Sequence, residues 1–201
     1  MRKPLFVIAS AVLLLVSAGS IASATTIDFS NLVGANGDPY TFSSQGGFNV
    51  EALIGQGSWF EAHAFGNPEP SIFAGPIGSP SISSIVVHRE DDGAFTFSSV
   101  DLACNNGSNC PFQFLAFLGN TFAFDFKSSV PNLGFGFVTE LNPNASMVID
   151  KLLITISPDA GTTSMNLDNI VVAAVPEPTT VVLLGSALTG MALRRGRKRR
   201  G

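Results

Sequence analysis

Residues 112–126 read FQFLAFLGNTFAFDF, and they decide the fold class. In an extended chain side chains alternate between two faces, so Phe112, Phe114, Ala116 and Leu118 fall together. Phe122, Phe124 and Phe126 make a second such face. Gly119-Asn120, between the two runs, suits a two-residue hairpin turn. A helix would scatter the same rings around its axis. The stretch reads as an antiparallel hairpin with one apolar side.

The same alternation recurs outward in both directions. Strands are expected at residues 26–29, 47–53, 58–65, 82–88 and 94–102 on the N-terminal side. Further strands are expected at 133–137, 151–156 and 164–173. Turn residues separate nearly every pair of runs, and no segment between the termini carries a 3.6-residue apolar stripe. Many short strands punctuated by Gly, Pro and Asn predict an all-β, antiparallel β-sandwich of jelly-roll type. The seventeen phenylalanines supply an aromatic core. Residues 65–81, FGNPEPSIFAGPIGSPS, are expected to form a long surface loop.

Both ends read as addresses rather than architecture. Met1-Arg2-Lys3 is a charged start, residues 5–16 are apolar, and Ala22-Ser23-Ala24 is a small-residue cleavage site. This is the pattern of a Sec signal peptide over residues 1–24; the alternative is an uncleaved anchor. At the other end, residues 175–201 read VPEPTTVVLLGSALTGMALRRGRKRRG. Pro176 and Pro178 hold the chain extended around Glu177. An apolar run over 179–193 follows, shorter than the roughly 20 residues that cross a bilayer comfortably. Arg194, Arg195, Arg197, Lys198, Arg199 and Arg200 then favour the cytoplasmic side. A basic nucleic-acid or lipid-binding tail is the alternative.

This order of Pro-Glu-Pro, apolar span and basic cluster resembles the PEP-CTERM sorting signal of Gram-negative bacteria that make extracellular polysaccharide. The resemblance implies a transmembrane sorting helix and processing by an exosortase near Pro176, Glu177 and Pro178. It also implies an inner-membrane precursor that ends at the cell surface or in the extracellular matrix. No LPxTG-like pentapeptide is present.

Between the ends, residues 25–174 form one domain of ordinary size. It keeps three bases, Arg89, Lys127 and Lys151, against fourteen acids, a charge near −11 with histidine neutral. Such a surface repels nucleic acid and anionic lipid and attracts divalent cations. Cys104 and Cys110, spaced CNNGSNC, are read as a local disulfide in an oxidising compartment, with free thiols as the alternative.

The domain shows no catalytic motif: neither Gly-x-Ser-x-Gly nor His-Glu-x-x-His occurs. Two short stretches resemble carbohydrate-binding β-sandwich modules: GAFTFSSVDL at 93–102 and LDNI at 167–170. Terminal strands of a sandwich often lie close, so Asp28 and Asp168, with the Asn169 carbonyl, are candidate ligands of a structural Ca²⁺. Their bland reading is strand-end carboxylates bonded to turn amides. Trp59 and Tyr40 are the candidate sugar-stacking rings, or else core. The expected function is that of a non-enzymatic, exported surface or matrix protein that binds polysaccharide. A secreted glycan-active enzyme and an adhesive matrix protein are the alternatives.

Overall fold

The structure, a computed structural model, describes residues 23–53, 57–74, 82–105, 109–134, 136–156 and 164–176. Residues 1–22 of the expected signal peptide (1–24), and the sorting motif from Glu177 onward, lie outside the described residues.

Thirteen strands occur among the described residues: β1 (Ala24–Ile27), β2 (Pro39–Tyr40), β3 (Phe42–Gln45), β4 (Phe48–Ala52), β5 (Trp59–Ala62), β6 (Ser71–Ala74), β7 (Ser83–Arg89), β8 (Phe95–Cys104), β9 (Asn109–Leu118), β10 (Thr121–Pro131), β11 (Phe137–Leu141), β12 (Lys151–Ile156) and β13 (Met165–Ala174). A seven-stranded sheet runs β11-β8-β13-β6-β5-β2, with β1 also on β13. A six-stranded sheet runs β10-β9-β12-β7-β4-β3. Every pairing is antiparallel.

The expected all-β antiparallel sandwich is therefore present, and its core is the alternation seen in the sequence. Phe112, Phe114 and Ala116 of β9 are fully buried, as are Leu152, Ile154, Ile85 and Val87 beside them. From the other sheet, Phe95, Phe97, Leu102, Leu167 and Ile72 face them in one cluster. Aromatic rings cross between the sheets edge to face. Phe97 of β8 meets Phe114 of β9 at 5.0 Å, and Phe95 of β8 meets Phe48 of β4 at 5.4 Å. Edge-to-face contact places the positive rim of one ring against the negative face of the other.

Several sequence expectations change. Phe122 does not share a face with Phe124, because a β-bulge between them shifts the register. The extra residue turns Phe122 outward, 57% exposed, onto Phe117 of the neighbouring strand. Leu118, at the hairpin end, is exposed as well. Residues 65–81 are not a single loop: Ser71–Ala74 form β6, a buried strand between β13 and β5. The strand expected at 133–137 lies instead at Phe137–Leu141, after a turn with Gly134 at φ 66°. β2 and β3 have no counterpart in the expectation. The β3–β4 hairpin turns on Gly46-Gly47, both at positive φ, the geometry of a type I′ turn.

The disulfide is present: Cys104 and Cys110 are bonded, their Cα atoms 5.5 Å apart. It does more than hold a loop. Cys104 ends β8 in one sheet and Cys110 lies in β9 of the other, so the bond staples the two sheets where the chain crosses over.

Replacing Phe114 by Ala leaves a void between the sheets and removes its contacts with Phe97 and Phe112. Chemical denaturation should show a loss of about 3–5 kcal/mol for F114A. For F122A, whose ring lies outside the core, the loss should be under about 1 kcal/mol.

Candidate functional site

β13 organises the outer surface of the seven-stranded sheet. β8 runs along one side of it, and β6 and β1 share the other side in succession. Where β6 stops and β1 begins, the β8–β13 register shifts between Asp168 and Val171. Asn169 there sits at φ 47°, a left-handed conformation that Asn tolerates better than most residues. Asp168 lies opposite Asp101 of β8. The LDNI and SVDL stretches thus put two carboxylates side by side, 0% and 6% exposed.

What closes over them is the segment 63–70, which holds the internal Pro68-Glu69-Pro70. Both of its X-Pro bonds are cis. The Asn67 N–H donates to Asp168 Oδ2 at 2.7 Å, and the Asn67 amide donates to Asp101 Oδ2 at 3.3 Å. Asn169 donates its own N–H to Asp168 Oδ1 at 2.8 Å, and its Nδ2 to Asp101 Oδ2 at 3.0 Å and to the Asn67 carbonyl. Thr139 of β11 donates to Asp101 Oδ1 at 2.6 Å. The segment is folded tightly on itself: a Cβ on Gly66 would lie 2.5 Å from the Pro68 carbonyl oxygen. Beside it, Asn166 donates to Ser71 Oγ at 2.9 Å, and Ser71 donates to the Phe65 carbonyl. This polar seam is the counterpart of the aromatic core on the opposite side of the same sheet.

Burial pushes the Asp168 carboxyl up to about 7. The backbone N–H groups of Asn67 and Asn169 oppose the shift, while the charges of Asp101 and Asp28 add to it. Asp28 behaves differently. Gln45 donates to its carboxylate at 2.5 Å and the Ser30 N–H at 3.0 Å, and its pKa is held below the ordinary value, chiefly by the Gln45 bond. The two candidate Ca²⁺ ligands are thus each engaged by N–H donors, which a cation would have to displace. Among the described residues no group of three or more His, Cys, Asp and Glu is placed to hold a metal ion.

Trp59 and Tyr40 are core residues, not an exposed platform. They are 1% and 3% exposed. Trp59 Nε1 donates to the Ser84 carbonyl at 3.1 Å, and the Tyr40 hydroxyl donates to the Val50 carbonyl at 2.8 Å. Each ring is drawn inward because a buried backbone acceptor satisfies its polar tip. Both residues nevertheless help to line a cavity of about 390 Å³, together with Phe42, Glu51 and Leu53.

The rings that do lie on the outer face are Phe60 and Phe73. They stack at 5.3 Å with planes 28° apart and stand outside the core cluster. Register extends their row through Asn166 and Ala103 to Phe137. Neither ring is among the sugar-stacking candidates of the sequence: Phe60 adjoins Trp59, and Phe73 falls in the stretch 65–81 expected to form a loop. Their alternation with Trp59 and with the buried Ile72 and Ala74 was the available signal. The acidic group at 90–93 is a surface turn, with Asp91 bound to Arg89 at 2.5 Å and to the Gly93 N–H.

At the C-terminal end of the fold, the Val175 N–H donates to the Ala94 carbonyl at 2.9 Å, and Pro176 is exposed. Pro176 opens the Pro-Glu-Pro and has no N–H to continue the ladder.

The raised Asp168 pKa sets a sign for pH dependence. Between about 4 and 7 the folded chain holds a proton that the unfolded chain has lost. The contribution is full below about 4 and falls as pH rises to 7, by up to roughly 4 kcal/mol. Asp28 acts with the opposite sign and below that window. Denaturant titrations at successive pH values should show this decline, and D168N should flatten it.

Residues 174–199 match the PEP-CTERM protein-sorting motif. The chain thus carries the C-terminal signal of an exosortase substrate. No curated protein matches the chain. Among solved structures it is similar to family 29 carbohydrate-binding modules. A CBM29-2 variant complexed with mannohexaose is 13% identical, covering 76% of this chain and 92% of that one, with a TM-score of 0.46. Another CBM29-2 variant, complexed with cellulohexaose, is 14% identical, covering 77% and 92%, with a TM-score of 0.45. CBM29_1 from Piromyces equi is 11% identical, covering 77% and 91%, with a TM-score of 0.44.

Proposed function

We propose that this is an exported surface or matrix protein, cut by an exosortase at its C-terminal signal, whose sandwich domain binds polysaccharide without catalysis. The observation that carries the sorting half is the junction at residues 174–176. The PEP-CTERM match begins at residue 174, the last residue of β13. The last backbone hydrogen bond among the described residues is made at Val175. A protease needs its substrate extended and unpaired, and the Pro-Glu-Pro begins where the ladder ends. A cut there removes no strand of the described fold. Sec export through the N-terminal signal and an inner-membrane precursor belong to the same reading, as does an oxidising destination in which the disulfide persists.

The test is mass spectrometry of the mature protein from cells that contain an exosortase. The expected C-terminus lies close to Pro176, with the Arg cluster gone. Glu177→Ala should leave the full tail in place. A wild-type protein that keeps its arginines contradicts the reading.

The non-catalytic half is supported by how the paired carboxylates are held. Asp101 and Asp168 are shut beneath residues 63–70 and bonded on both oxygens, so neither is open to a glycosidic bond. Polysaccharide binding is supported by the outer row of Phe73 and Phe60, since the C–H faces of sugars pack on such rings. Affinity electrophoresis in gels containing the exopolysaccharide of the native cells is the direct assay. Retardation should fall about tenfold in F60A/F73A, with the melting cooperativity of the domain kept. Equal retardation of wild type and variant would exclude this face.

A further inference from the structure

Five strands pair on one side only among the described residues, and they are unequal. β1, β2, β3 and β11 are edge strands of four, two, four and five residues. Short edges are one way in which sheets avoid pairing with other chains. β10 is the fifth, and it is eleven residues long. Its pairing with β9 is regular from Phe124 to Pro131, the bulge being confined to its start. Lys127, Ser128 and Ser129 along it are exposed. An open ladder of this length offers a row of N–H and C=O groups to a further strand.

We infer that β10 is a self-association edge, on which β10 of a second copy pairs antiparallel about a twofold axis at Phe126, joining two six-stranded sheets into one. The register follows from charge. A symmetric antiparallel pair centred on residue 125 sets Asp125 against Asp125. One centred on residue 127 sets Lys127 against Lys127. Centring on Phe126 sets Asp125 against Lys127 of the second copy, and by symmetry does so twice. Opposite charges directly across a strand pair attract and like charges repel. A register shifted by a single residue would set the core side of one sheet against the solvent side of the other.

The faces agree with this register. Asp125 lies opposite Leu115 and Lys127 opposite Gln113, so both carboxylate and ammonium stand on the outer face. Asp125 already accepts from Gln113 at 2.7 Å, which leaves its other oxygen for the incoming lysine. Among the described residues Lys127 makes no ion pair, and it is one of three bases between the two terminal signals. A lone cation two residues from an acid, on the long edge of an otherwise acidic domain, is placed for this exchange. On the inner face, Phe126 packs on Phe112 and Phe114 yet stays partly exposed at the open end of the core. Two such rings meeting at the axis would continue the aromatic layer from one copy into the next.

The test is sedimentation velocity of the full chain in a mild detergent, over a concentration series. Wild type should pass from monomer to dimer. Asp125→Lys should weaken the dimer roughly tenfold, because each copy then sets two lysines against each other. Lys127→Asp should weaken it likewise, through two aspartates. The double swap Asp125→Lys/Lys127→Asp restores both pairs and should recover the wild-type constant. These sites are exposed, and unchanged melting would show that each variant folds. A wild type that stays monomeric at every concentration overturns the proposal. So does a dimer that ignores the single swaps, or a double swap no better than either single.

Discussion

The meeting of two sheets through aromatic rings is the constraint on which the rest of this molecule depends. Phe114 stands at its centre, in contact with Phe97 across the interface and with Phe112 and Phe126 along its own sheet. A large ring buries much apolar area for few rotatable bonds, so a modest domain gains a dense core from few residues. Ring size and edge-to-face geometry hold the sheets at a fixed spacing and offset. Everything outside the core, including the outer Phe60–Phe73 stack, takes its position from that offset.

The opposite side of the seven-stranded sheet solves a different problem. Asp101 and Asp168 are buried where carboxylates are costly, and they stay there because donors surround them. Those donors come from Asn67, Asn169 and Thr139, parts of the chain far apart in sequence. The acids thereby tie the segment 63–70 to the sheet and join three strands to it. Part of the cost appears in the raised pKa of Asp168. A buried network of this kind is favourable only while every member is satisfied, which makes the segment and the strands depend on each other.

Charge and termini give the molecule its setting. The domain is acidic and cation-poor, and the bases of the chain are concentrated near its two ends. Its last backbone hydrogen bond among the described residues is made at Val175, one residue before the Pro-Glu-Pro, and the matched motif overlaps the strand ladder only at residues 174 and 175.

Local patterning determined a great deal here. Alternation revealed most strands, because one buried face demands period 2 and no other structure satisfies it. The C-terminal motif was legible for a similar reason: its order of Pro-Glu-Pro, apolar span and basic cluster is linear, and no fold is needed to read it. The cysteine pair was legible as a bond, since the short polar loop of Asn and Gly between Cys104 and Cys110 can turn back on itself. Only the tertiary structure decided what lies beneath residues 63–70. Asp168 meets Asp101 and Asn67 through strand register, across separations of 67 and 101 residues that no local pattern encodes. It also decided that Trp59 and Tyr40 point inward while Phe60 and Phe73 point outward. Alternation states that neighbours face opposite sides, but which side is the core depends on the second sheet, and that sheet arrives from elsewhere in the chain.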